Sequence, residues 1–238
     1  MQRINGVIFD MDGVLCDSER FIRDAAMEMM RRDYSLSVKP DDFLPFIGAG
    51  ESRFISGVAE KYGVKLTLPR DKMRTYQIYL ELIKGSLQPL DGVLEFIGEC
   101  RRRGVRLAVA SSADMVKVTG NLTEIGLPMA TFDAVITGDD VTRHKPDPEC
   151  FLKAAEALRL SPSACMVVED ANNGVKAAKA AGAHCLGLTT SFTPKNLKTS
   201  GADWTAPTLA EVPQEVMAIL GGEKTNETLP SDPLCSYH

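Results

Sequence analysis

Four short apolar runs are each followed by segments of helical periodicity, and this alternation constrains the chain more than any other feature: GVIFD from Gly6, RLAVAS from Arg106, AVIT from Ala134 and CMVVED from Cys165. A weaker fifth run, HCLGL, starts at His184. Runs without polar alternation suit strands buried on both faces, as in a parallel sheet. Between them, DGVLEFIGECRRRG repeats apolar residues at helical spacing and stops at Gly104. DPECFLKAAEALRL is expected to open with Asp147 as N-cap and Pro148 at the first helical position, and GVKAAKAAG to close at Gly182. Strands alternating with helices predict an α/β fold, a Rossmann-like parallel sheet with helices on both sides.

Residues 18–87 interrupt the alternation. FIRDAAMEMMRRD and KMRTYQIYLELIKG carry helical spacing with no convincing strand between them, and SLQPLDG around Pro89 returns the chain to the α/β pattern. The expected division is an α/β core of residues 1–17 and 88–221, a helical domain of residues 18–87 inserted after the first strand, and a loosely ordered polar tail at 222–238.

The composition, 44% hydrophobic and 25% charged over 238 residues, is that of an ordinary globular protein. No apolar run approaches the roughly eighteen residues needed to span a bilayer, so no membrane association is expected. A net charge of -5 offers nothing to nucleic acid. The one dense basic run, Arg101 to Arg103, ends a predicted helix, where cations suit the helix dipole. The six cysteines include no CxxC pair, so neither a zinc site nor a disulfide framework is indicated. MQRING runs straight into VIF without an apolar signal region. A monomer in the cytosol or an organellar matrix is the expectation.

Ligands of open parallel sheets bind at the carboxyl ends of the strands. Asp10 and Asp12 follow the first run, Ser111 and Ser112 the second, Glu169 and Asp170 the fourth, and Lys145 lies in the loop after the third. Clustered acids need a cation, and oxygen ligands without Cys or His suit a hard ion such as Mg²⁺. Such a cluster with one lysine can hold a phosphoryl group and let a carboxylate approach phosphorus. Asp10 is then the candidate nucleophile and Asp12 the candidate acid and base. Gly13 lets the backbone turn away sharply after Asp12. VLCDSERF supplies neither the third acid nor the closing glutamate of a calcium loop. Ser112 and Asp114 are expected to cap the helix that follows, and Asn172, Asn173 and Gly174 to form a turn supporting the acidic loop.

The order DMDGV, VASS, KPDP and VVEDANNG resembles the haloacid dehalogenase superfamily, in the subgroup that inserts a helical cap domain after the first motif. The resemblance runs from about Val7 to Leu220. It implies that Asp10 becomes an aspartyl-phosphate and that Asp12 is the acid and base whose main-chain carbonyl also faces Mg²⁺. Ser111 then binds phosphate and Lys145 pairs with nucleophile and phosphate. Glu169 and Asp170 complete a metal site with Asp10 and Asp12, Asp170 as the direct ligand. Dehalogenating members lack the second aspartate and the acidic pair, so the resemblance points to phosphoryl transfer. The cap loop FIGAGESRF of such proteins reaches the substrate, which makes Gly48, Glu51 and Arg53, together with Ser112, candidate substrate contacts; Arg53, Lys72, Arg74 and Lys84 are candidates for binding a second anionic group. The activity implied is a Mg²⁺-dependent phosphatase of small phosphorylated metabolites, above all sugar phosphates. The alternatives are a β-phosphoglucomutase-type phosphomutase and a weakly catalytic regulatory or binding module. Family mutases usually carry a histidine in the first cap helix, where this chain reads SERFIRDAA.

Overall fold

The computed structural model describes residues 3–46 and 50–221; Gly48 and the expected tail at 222–238 lie outside the described residues. Six parallel strands form one sheet: β1 (Gly6–Phe9), β2 (Arg106–Ala110), β3 (Ala134–Ile136), β4 (Cys165–Glu169), β5 (His184–Leu188) and β6 (Trp204–Ala206), in the order β3-β2-β1-β4-β5-β6. The chain builds outward from β1 through β2 to β3, then returns to lay β4 on the other side of β1. That reversal places the switch point, where ligands of such sheets sit, between the ends of β1 and β4. Phe9 is in register with Val109 on one side and Val168 on the other, so these strand ends finish at one level.

Successive side chains of each strand enter opposite cores, which explains the uninterrupted apolar runs. Val7, Phe9, Leu107, Val109, Met166 and Val168 pack on one face with α4 (Val93–Arg102) and α5 (Met115–Glu124). Ile8, Ala108, Ala110, Cys165 and Val167 pack on the other with α6 (Glu149–Ala157), α7 (Asn172–Ala180) and α8 (Pro194–Ser200). The Phe9 ring meets Phe96 and Phe132 edge to face at centroid distances of 6.1 and 6.3 Å. A short helix, α9 (Gln214–Ile219), follows β6. No helix among the described residues is long and apolar enough to cross a membrane.

Between β1 and α4 lie α1 (Glu19–Tyr34), a 3-10 segment (Pro40–Phe46), α2 (Glu51–Lys61) and α3 (Leu68–Ile83), with no strand of the sheet among the described residues there. The two ends of this segment are tied together: Cys16 forms an antiparallel bridge with Pro89, and Leu90 N–H donates to the Leu15 carbonyl at 3.0 Å.

Several local expectations shift. The expected first helical residue Pro148 is instead the N-cap of α6, and Asp147, one residue earlier, still accepts from Glu149 N–H at 3.0 Å. Asn172, Asn173 and Gly174 are the first turn of α7 rather than a turn before it. Asp114 stands at the N-cap of α5, but its carboxylate pairs with Lys72 and makes no cap bond; Ser112 lies two residues upstream, exposed, outside the cap position. Strand β6 answers to no apolar run recognised in the sequence. It is three residues long and only Ala206 is fully buried.

Candidate active site

The site grows from the ends of the two central strands. Directly after β1, Asp10 N–H donates to the Val168 carbonyl at 3.0 Å, which fixes the Asp10 backbone against β4. Glu169 closes β4 and Asp170 follows it. Carboxylate oxygens of Asp10, Glu169 and Asp170 all lie within 4.8 Å of one another. Lys145, from the loop between β3 and α6, enters this cluster: its ammonium donates to Asp10 Oδ1 at 2.5 Å, Glu169 Oε1 at 2.7 Å and the Ala110 carbonyl at 3.2 Å. It lies 4.8 Å above the Phe151 ring, whose face favours a cation.

Two glycines make room for the acids. Gly13 has φ +75°, and a Cβ there would come within 2.0 Å of Asp170 Oδ2. On α7, a Cβ at Gly174 would fall 1.7 Å from Glu169 Oε1. The near end of α7 therefore approaches Glu169 only because residue 174 has no side chain. Glu169 Oε2 accepts from the N–H groups of Asp170 and Ala171, each at 2.9 Å. The loop after β5 supplies two hydroxyls that the sequence reading did not single out. Ser191 donates to Asp170 Oδ2, and Thr190 donates to the Gly13 carbonyl at 2.6 Å.

Three acids against one lysine leave the cluster with excess negative charge. Burial, with the Lys145 contact opposing it and Glu169 adding to it, raises the Asp10 pKa from 3.8 to about 7. Burial, then Glu169 and Asp10, push Asp170 up to about 8. Burial also works against the Lys145 charge, but Asp10 and Glu169 outweigh it and hold its pKa above the ordinary lysine value. Converging hard oxygens, short of one or two positive charges, fit a divalent ion of the Mg²⁺ type.

The Asp12 side chain stands apart from this cluster; the expectation for Asp12 placed its main-chain carbonyl, not its carboxylate, toward the metal. Its Oδ1 accepts from Ser18 at the start of α1, and its Oδ2 accepts from Lys117 Nζ at 2.9 Å. Lys117 is buried on α5, and Glu51 Oε1 lies 3.5 Å from its ammonium. The sequence did carry a trace of Lys117. It and Asn121, four residues apart, interrupt the buried stripe that Val118 and Leu122 continue.

The remaining candidates divide. Ser111 is buried at the end of β2, its N–H donating to Ile136 and its hydroxyl accepting from Ala113 N–H at 3.1 Å. Glu51 faces Lys117 and thus the Asp12 side of the site. Arg53 does not: it pairs with Glu60 at 2.6 Å and lies over the Phe46 ring. Ser112 is exposed, and its carbonyl lies against Gly138.

The family model for haloacid dehalogenase-like hydrolases matches residues 4–182. Among curated proteins, the chain is 41% identical over 202 residues to SUPPRESSOR OF QUENCHING 1, chloroplastic, of Arabidopsis thaliana; the match covers 84% of this chain and 19% of that one, so the chain spans about a fifth of that relative's length. It is 33% identical over 186 residues to validoxylamine A 7'-phosphate phosphatase of Streptomyces hygroscopicus subsp. limoneus, covering 77% of this chain and 84% of the relative. In fold it matches CbbY of Rhodobacter sphaeroides, crystallised with xylulose-(1,5)bisphosphate, with TM-score 0.81 and 24% identity, covering 92% of this chain and 99% of that one.

Proposed function

The chain belongs to the haloacid dehalogenase-like hydrolases and groups with the phosphatases of that family, and from that premise we propose that it is a Mg²⁺-dependent phosphatase of small sugar-like phosphomonoesters that works through an aspartyl-phosphate. The observation that carries the reading is the convergence of Asp10, Glu169 and Asp170 on Lys145 at the switch point of the sheet. Relatives named for phosphorylated carbohydrates and for a sugar-like phosphate support the substrate class. The reading includes residues 18–87 as a cap over a core of 1–17 and 88–221. It also includes a monomer acting on a free metabolite in the cytosol or an organellar matrix.

In this mechanism the Asp10 carboxylate attacks phosphorus, forming an acyl-phosphate bond as the P–O bond to the sugar breaks. Asp12 gives a proton to the leaving oxygen. It then takes one from the water that attacks phosphorus, which frees inorganic phosphate and the Asp10 carboxylate. Lys145 orients Asp10 and offsets its charge, the Ser111 hydroxyl holds a phosphoryl oxygen, and Ser191 and the Asp170 and Ala171 amides fix the acidic pair. Asp10, Glu169 and Asp170 would hold Mg²⁺, with the Asp12 carbonyl as a further ligand, and the bound ion supplies positive charge that lets carboxylate and phosphoryl group meet.

The test is inorganic phosphate release from sugar monophosphates, sugar bisphosphates, phosphoglycolate and nucleoside monophosphates, in Mg²⁺ and in EDTA. Release in Mg²⁺ that EDTA abolishes is the expected result; no release from the whole panel contradicts it. A second readout follows from linkage. Asp10 and Asp170 have folded-state pKa values raised to about 7 and about 8, so the stability they contribute is complete below pH ~3.8 and lost as the pH climbs through those values. An ion bound to the ionised acids reverses that loss. Mg²⁺ is therefore expected to raise Tm more at pH 8 than at pH 5.5, and an equal shift at both contradicts the metal assignment.

A further inference from the structure

Beside Asp12, the seam between α2, α3 and α5 holds polar groups that phosphoryl transfer leaves unused. The buried Lys117 ammonium sits between two carboxylates, Asp12 at 2.9 Å and Glu51 at 3.5 Å. Both Glu51 oxygens are shut from solvent, and neither accepts a hydrogen bond among the described residues. The other two orphaned polar atoms are the Tyr76 hydroxyl on α3 and Asn121 Nδ2 on α5. All four come from three helices that touch in pairs, α2 with α3, α3 with α5, and α5 with α2 through Lys117 and Glu51, with Tyr79 donating to Asn121 Oδ1 across the α3–α5 contact. Buried polar atoms in native proteins find hydrogen bonds, so these four without one, only Glu51 Oε1 having even an ionic neighbour in Lys117, mark helix contacts where a polar molecule belongs.

The charge pattern limits what that molecule can be. Glu51 calls for O–H or N–H donors, which a polyol supplies and a phosphate dianion does not. Of the four candidate cations for a second phosphate, three are engaged elsewhere, Arg53 with Glu60, Lys72 with Asp114 and Arg74 with Asp33, and the fourth, Lys84, is exposed past the last turn of α3, two turns beyond Tyr76. Lys117 already faces two acids. A second phosphate brought to this seam would meet the Glu51 carboxylate, while Arg53, Lys72 and Arg74 are already paired with acids of their own.

We propose, resting on the phosphatase reading, that Glu51 of α2 and Lys117 of α5 form the subsite for the organic part of the substrate, taking the hydroxyls of an otherwise uncharged polyol that carries a single phosphate and excluding a substrate that carries a second phosphate. Glu51 accepts from substrate hydroxyls, and Lys117 donates to one while holding Asp12 next to the leaving oxygen. Glu51 and Lys117 thus bind the same part of the substrate that Asp12 protonates.

The test is calorimetric binding in Mg²⁺ to the Asp10→Asn protein, alone and with Glu51→Gln or Glu51→Arg added. The probes are glucose 6-phosphate, ribose 5-phosphate and glycerol 3-phosphate, against glucose 1,6-bisphosphate. Thermal unfolding checks that each variant is folded. At least one monophosphate is expected to bind about tenfold or more tighter than the bisphosphate, Glu51→Gln to weaken it about tenfold, and Glu51→Arg to reverse the preference. Bisphosphate binding as tight as or tighter than every monophosphate overturns the proposal, as does monophosphate affinity unchanged in both Glu51 variants or binding of none of the monophosphates. Selective binding without phosphate release by the unmodified protein would overturn the phosphatase reading while the subsite stands. Phosphate release together with bisphosphate preference would do the opposite.

Discussion

Asp10→Asn is expected to lower phosphate release on the order of 10⁴-fold or more, because loss of a covalent nucleophile removes the pathway rather than weakening a contact. The change keeps the shape of the side chain and takes a charge out of a buried cluster in which burial and Glu169 already disfavour that charge. Without metal, the variant should therefore be at least as stable as the parent to urea. Full folding with lost turnover separates a chemical role from a structural one. Activity within tenfold of the parent would assign the attack on phosphorus to another group.

The second large effect is expected at Lys145. Among the described residues it is the only cation paired with Asp10 and Glu169, and its side chain is 9% exposed. Lys145→Met leaves these acids without their counter-charge, and breaking a buried ion pair from one side destabilises by about 3–5 kcal/mol. Urea unfolding in EDTA is the measurement. The loss should be larger at pH 8 than at pH 5.5, since Asp10, which Lys145 opposes, has its pKa raised to about 7 and is mostly protonated at the lower pH. Turnover should fall as well, because Asp10 loses the donor that orients it. A variant as stable as the parent at both values would mean that the acids do not depend on this lysine.

The fold could be read from the sequence wherever burial leaves a local pattern. The central strands β1, β2 and β4 are buried on both faces, so their apolar runs stand out, and the rule that ligands gather at carboxyl ends led from these and from the β3 run to Asp10, Ser111, Lys145 and Asp170. Strand β6 gave no such run because it is three residues long, Trp204, Thr205 and Ala206, with the polar threonine at its centre. Side-chain convergence across distant segments left less trace. Glu51 and Lys117 are 66 positions apart and meet only because α2 and α5 both pack against α3. The reason for glycine at 174 is likewise invisible until α7 is seen against Glu169. Arg53 shows the opposite failure: a cation in the right loop, turned away by an acid seven residues along its own helix. Asp12 was legible as a site residue, but not its partners Ser18 and Lys117, which hold it apart from the other acids.

The central claim is that Asp10 carries the phosphoryl group during turnover. The most direct measurement mixes the protein with Mg²⁺ and the best monophosphate of the release panel, quenches in acid within one turnover, and maps peptides by mass spectrometry. A phosphoryl adduct on the peptide containing Asp10, formed and lost at rates that match phosphate release and missing from Asp10→Asn, is the predicted result. Phosphate released with no adduct at any quench time, or an adduct on a different residue, would contradict the account.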